Sequence, residues 1–95
     1  MANYVARVEL HSATRDDYER LHASMQRRGY YRAIRGSDGK AYQLPTGTYV
    51  VRDTNSSLDN ALNAAQEAAN EIGKQSWVFV ADWSSATWLG LSIVG

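Results

Sequence analysis

The sequence predicts an α+β domain in which an antiparallel sheet carries two helices on one face. Three observations predict it. Two segments, 14–28 and 58–72, repeat apolar residues at three- and four-residue spacing; several short stretches between them alternate or run extended; and their order is β-α-β-β-α-β with an extended tail. The chain's 95 residues, 44% hydrophobic and 21% charged, supply one core and no second, so residues 1–95 form a single domain. Cysteine is absent, which excludes disulfides, thiol catalysis and cysteine metal sites and leaves packing to provide stability.

Tyr4, Ala6, Val8 and Leu10 alternate with Val5, Arg7, Glu9 and His11, the period-two pattern of a strand covered on one side. A helix start follows at Thr14, whose hydroxyl can accept from first-turn N–H groups while Asp17 reaches back. The stripe Tyr18, Leu21, His22 and Met25 continues that helix. Arg27, Arg28 and Gly29 end it with the charge and the glycine that a helix C-terminus favours. Tyr30 to Arg35 and Ala41 to Leu44 flank the turn Gly36-Ser37-Asp38-Gly39 and read as a hairpin. Pro45-Thr46-Gly47 should interrupt its second arm, which resumes from Thr48 to Arg52 as the same strand. Leu58, Ala61, Leu62, Ala65, Ala68, Ala69 and Ile72 draw the second helical stripe, which stops at Gly73. Trp77 to Trp83 is apolar on both faces and is expected at the centre of the sheet or at an interface. Thr87 to Val94 is an expected extra C-terminal strand, pairing with an edge or with another chain. The order βαββαβ is that of a ferredoxin-like sandwich, a fold that hosts many functions, so side chains must decide.

Ten basic and ten acidic residues cancel, but they are segregated. Between Arg27 and Lys40 five cations meet only Asp38, whereas from Asp53 onward five acids meet only Lys74. Arg27, Arg28, Arg32, Arg35 and Lys40 interleave with Tyr30 and Tyr31, the combination that single-stranded RNA uses for phosphate contact and base stacking. Dipole partners at a helix end and half-buried strand tyrosines are the alternative account of the same residues. No apolar stretch is long enough for a membrane helix and no signal peptide is evident, so a cytoplasmic protein with no membrane association is expected.

No cofactor or metal is expected, because the two histidines lack ligand spacing and no glycine-rich phosphate loop is present. Glu9, Asp16 and Asp17 read as helix-start acids rather than a magnesium set. Metal-free RNA cleavage requires a base for the ribose 2′-hydroxyl, an acid for the leaving oxygen and cations for the phosphoryl group. His11 and His22 are the candidate proton-transfer residues and Arg32 the candidate phosphoryl partner. Glu9 would orient His11 from the Arg7-Glu9-His11 row; a solvated edge histidine and a packed helix histidine are the plainer accounts. Trp77, Trp83 and Trp88, with the apolar tail, form a second candidate surface, for a protein partner or a second copy of the chain through an edge strand.

The string Val8-Glu9-Leu10-His11, followed by Asp17-Tyr18-x-x-Leu21-His22-x-x-Met25, Gly29-Tyr30-x-Arg32-x-Ile34-x-Gly36-Ser37-Asp38-Gly39-x-x-Tyr42-x-Leu44-Pro45-Thr46 and Tyr49, resembles the GhoS-like family of small bacterial proteins. The resemblance covers about the first half of the chain. It implies a ferredoxin-like fold, similar to that of the small CRISPR adaptation endoribonucleases, and an endoribonuclease of a type V toxin–antitoxin system. In that family a basic residue on the first helix is associated with cleavage. Alignment on Leu21 and Met25 puts His22 in its place, which keeps hydrogen-bond donors but gives up a permanent charge. A non-catalytic RNA binder and a protein-interaction module, such as a phage or defence-system inhibitor, are the other two readings.

Overall fold

The alternating stretch at the N-terminus becomes β1 (Ala2–Leu10), the central strand of the larger sheet in a computed structural model that describes residues 1–94. Then come α1 (Arg15–Arg27), β2 (Ala33–Arg35), β3 (Ala41–Gln43), β4 (Thr48–Thr54), α2 (Leu58–Asn70), β5 (Ser76–Asp82) and β6 (Ile93–Val94). Two antiparallel sheets result, with strand orders β4-β1-β5 and β2-β3-β6.

Both helices pack on the face of the larger sheet presented by Tyr4, Ala6, Val8 and Leu10, joined across the register by Tyr49 and Val51 of β4 and Val78 and Val80 of β5. Thr14 caps α1 as its sequence predicts: its hydroxyl accepts from Asp17 N–H, and the Asp17 carboxylate accepts from Thr14 N–H at 2.9 Å. Leu21 and Met25 bury fully against the sheet. From α2, Ala61, Ala65, Ala68 and Ala69 do so with little bulk, letting that helix lie close to β1 and β5. Leu58 and Leu62, expected on the buried stripe, are largely exposed; the helix presents its alanines instead. Buried tyrosines are satisfied across elements, with Tyr4 donating to Ser56 O at 2.7 Å and Tyr30 to Ala61 O at 2.9 Å.

The strand order departs from the expected ferredoxin-like sandwich. The hairpin does not enter the larger sheet as a full fourth strand; among the described residues its one backbone bridge there is Tyr31, which exchanges two 2.8 Å backbone bonds with Val50. At the next residue the chain changes sheets, because Arg32 O accepts from Leu44 N–H at 2.7 Å and commits β2 to β3. The arms on either side of Pro45, expected as one strand, are β3 and β4 in different sheets. Pro45 O accepts from Thr48 N–H at 2.9 Å around Gly47 at φ +86°, a tight turn that redirects the chain. Trp77 to Trp83 is an edge rather than a central strand: β5 pairs only with β1, and Trp77 and Phe79 are 67% and 66% exposed. Of the expected C-terminal strand only β6 is regular, and it pairs with β3 inside the same chain.

Candidate nucleic-acid interface

The cationic segment divides into two environments. Arg27 and Arg28, at the end of α1, both bond the Glu71 carboxylate beyond α2, at 2.8 and 2.7 Å, and Arg28 also donates to Ser24 Oγ at 2.8 Å. Ser24 Oγ donates to Glu71 as well. This network holds the Glu71 carboxyl down at about 2, the Ser24 hydrogen bond contributing first and Arg28 next. Two of the four arginines expected to hold phosphates therefore clamp one helix to the other. Tyr30, expected to stack a base, is 2% exposed with its hydroxyl on Ala61 O and its pKa pushed up to about 12, chiefly by burial, so its ring offers no face to a ligand. Lys40 is exposed beyond the hairpin turn, where its N–H binds Asp38, and Arg35 donates to Gly39 O across that turn.

Other candidates come together. A hollow of about 340 Å³ is lined by His22 and Gln26 from α1, by Tyr30, Tyr31, Arg32 and Ala33, and by Gln43 and Val94. The helix puts His22 and Gln26 on one face by their four-residue spacing. The bridge to Val50 and the bond to Leu44 fix the backbone of Tyr31 and Arg32 on either side of the sheet change. Tyr31 is 57% exposed, and no ion pair engages Arg32 among the described residues.

His22 Nδ1 lies 2.6 Å from the hydroxyl of Tyr49, a fully buried β4 residue. That hydroxyl has no other partner among the described residues, so hydrogen-bond accounting makes Tyr49 the donor and Nδ1 the acceptor, leaving the imidazole proton on Nε2. Burial first, and the Arg32 charge second, hold the His22 pKa below its ordinary value; burial pushes that of Tyr49 up. A neutral imidazole presenting Nε2–H beside a guanidinium is a pair of donors suited to an anion. As a base toward a ribose hydroxyl it has the wrong tautomer.

His11 lies elsewhere. It follows β1 on the β5 side, where its backbone N–H binds Gln75 O and its ring meets Trp77 edge-on with centroids 4.5 Å apart. Glu9 pairs with Arg7 at 3.9 Å and makes no hydrogen bond to His11, so the expected orienting carboxylate is absent from that histidine. The two histidines do not share a site.

Sequence gives neither Tyr49, which enters only as the last residue of the family string, nor Gln26 a place in the site. Gln26 carried a usable signal, four residues after His22 on a helix, whereas Tyr49 read simply as an apolar strand position. No protein-family model matches the chain, and no curated protein matches it.

Proposed function

We propose that this chain binds single-stranded RNA, with one nucleotide seated in the hollow between Tyr31 and the Arg32–His22 donor pair. The single observation that carries this reading is the meeting in one hollow of His22, the exposed Tyr31 and Arg32, which has no ion-pair partner among the described residues. Arg32 and His22 Nε2–H would bind phosphoryl oxygens, and Tyr31 would stack a base. Fluorescence anisotropy of a labelled single-stranded oligoribonucleotide across a salt series tests it. Arg32→Gln and Tyr31→Ala should weaken binding, and Arg27→Gln, which touches only the Glu71 clamp, should not. Binding indifferent to Arg32→Gln would overturn the assignment.

RNA cleavage, as in the GhoS-like endoribonucleases, is the second reading, favoured by the position of His22 at the place where that family carries its basic residue. The tautomer argues for binding over cleavage, since Nε2–H supplies a donor while no carboxylate or second imidazole lines the hollow to take the ribose proton. A labelled transcript cut by the native protein and left intact by His22→Ala would establish the catalytic reading and with it the toxin–antitoxin role that the resemblance implies.

The proposal includes a cytoplasmic location and a ferredoxin-like ancestry for the larger sheet. The Tyr31–Val50 bridge supports the latter as the remnant of a fourth strand beside β4. It also includes a homodimer through an edge strand. For this, β5 offers an unpaired edge with no proline, lysine or arginine between Ser76 and Asp82, and with Trp77 and Phe79 exposed upon it.

A further inference from the structure

Several hollows lie along the hairpin, and the three that contain arginines share walls with their neighbours. The first is the His22–Arg32 hollow. The second, about 350 Å³, shares Tyr31 and Ala33 with it and adds Arg35, Val50 and Arg52. The third, about 430 Å³, shares Ile34, Arg35 and Arg52 with the second and adds Trp83, Trp88 and the serines between them. Shared lining residues thus set these hollows side by side as a furrow that begins at α1, follows β2 past Ala33, Arg35 and Ala41, and turns around that edge strand to the Ile34 and Tyr42 face under the segment following β5.

Its lining has a consistent chemistry. Arg32, Arg35 and Arg52 are spaced along it, and none takes part in an ion pair among the described residues. Arg52 lies over the Trp83 ring at 5.6 Å from its centre, a contact that orients the guanidinium and leaves its N–H groups for an acceptor. The Trp83 Nε1–H is buried without a partner. Tyr42 and Trp88 pack with centroids 5.4 Å apart. The single acid of the lining, Asp38, is occupied: it accepts from Tyr42 Oη at 2.6 Å and from Lys40 N–H at 2.9 Å.

We infer that this furrow is the track of a single-stranded nucleic acid several nucleotides long, entering at His22 and Arg32 and leaving over Arg52 and Trp83. The inference rests on the RNA reading above and extends it from one nucleotide to a strand. Arg32 and Arg35 are separated by on the order of 10 Å of extended chain, and Arg52 and Trp83 lengthen the path further, so the full track takes at least about four nucleotides. A series of cations with aromatic surface at both ends, Tyr31 at one and Tyr42, Trp83 and Trp88 at the other, fits a short strand of phosphates and bases better than one compact anion.

The test uses oligouridylates of two, four and eight nucleotides on the full chain, by anisotropy and by tryptophan fluorescence in a Trp77→Phe background, which removes the indole outside the furrow. Affinity should rise steeply from two to four nucleotides, with a change in the emission of Trp83 and Trp88. The double variant Arg35→Gln/Arg52→Gln changes two exposed residues and should fold normally. It should bind the four-mer about tenfold more weakly, with a salt slope shallower by about 1.4. If that variant binds all lengths as the native chain does, while Arg32→Gln weakens binding, the track is refuted and the single-nucleotide hollow stands. If the native chain binds none of the oligonucleotides at low salt, both are refuted.

Discussion

Replacing Tyr49 by phenylalanine isolates the interaction that sets the chemistry of His22. The ring stays in its fully buried site, and only the hydroxyl 2.6 Å from Nδ1 is lost. A neutral buried hydrogen bond contributes about 0.5–1.5 kcal/mol net. For a domain of this size each kcal/mol shifts the melting temperature by about 4–8 °C, so a decrease of roughly 2–12 °C is expected. The sharper readout is the imidazole itself. In the native protein, long-range proton–nitrogen correlation spectra above pH 7 should show Nδ1 bare and Nε2 protonated; in Tyr49→Phe the two tautomers should mix, because nothing then holds a proton against Nδ1. RNA affinity should fall modestly in step, as the donor is presented only part of the time. A native spectrum with the proton on Nδ1 would refute the assignment and restore His22 as a candidate base.

Titration should show the same environment from another side. Because the folded His22 pKa lies below the unfolded value of 6.5, the unfolded chain binds more protons, so His22 contributes stability above pH 6.5 that is lost on acidification below it. Denaturant melts should show this decline and His22→Gln should remove it; Arg32→Gln, by deleting a repelling charge, should bring the folded pKa closer to the unfolded one and make the decline smaller. A second loss is expected as pH falls from about 4.5 toward 2, when Glu71 is protonated and releases Arg27 and Arg28; Glu71→Gln should reduce that loss, leaving the part carried by Asp17 and Asp38, whose carboxyls are also held below their ordinary values. Gly47→Ala should destabilise the fold by well over about 1 kcal/mol, since a Cβ there would sit 2.5 Å from Val8 O on a backbone at φ +86°; an unchanged melting temperature would contradict the turn geometry. Light scattering should give a mass that rises from one chain toward two with concentration, and Phe79→Asp should hold it at one. A single-chain mass at high concentration would remove the edge-strand dimer.

Local signals carried the fold as far as the elements and no further. The Thr14–Asp17 box, the glycines closing both helices and the Gly36–Gly39 turn each act within a few residues, and each lies where the pattern predicts. Sheet membership is a long-range matter. Whether Thr48–Thr54 continues Ala41–Gln43 depends on how sharply Pro45 and Gly47 bend the chain, and a break in the ladder alone does not fix that angle. Trp77 and Phe79 left the place of their strand open for a related reason: a strand apolar on both faces fits a buried centre, and equally an interface at an edge, and the structure removes the centre.

The fate of the arginines shows why the site was harder to read than the fold. In sequence, Arg27 to Lys40 is one cationic run, but its members leave the helix end in different directions. Glu71, more than forty residues away, captures Arg27 and Arg28 because α1 and α2 pack side by side, and that pairing converts two apparent ligand contacts into a clamp. Arg32 escapes because the chain changes sheets at that residue, so its side chain opens beside His22 rather than toward α2. Arg52, isolated in sequence, joins Arg35 only because β4 and β2 meet through the Tyr31 bridge. An anion site in this fold is thus decided by which cations the acids of the second half fail to reach. Ion pairing leaves Arg15, Arg32, Arg35, Lys40 and Arg52 without an acid among the described residues, and of these Arg32, Arg35 and Arg52 line the hollows beside β2, which makes their replacement, rather than that of Arg27 and Arg28, the decisive experiment on RNA.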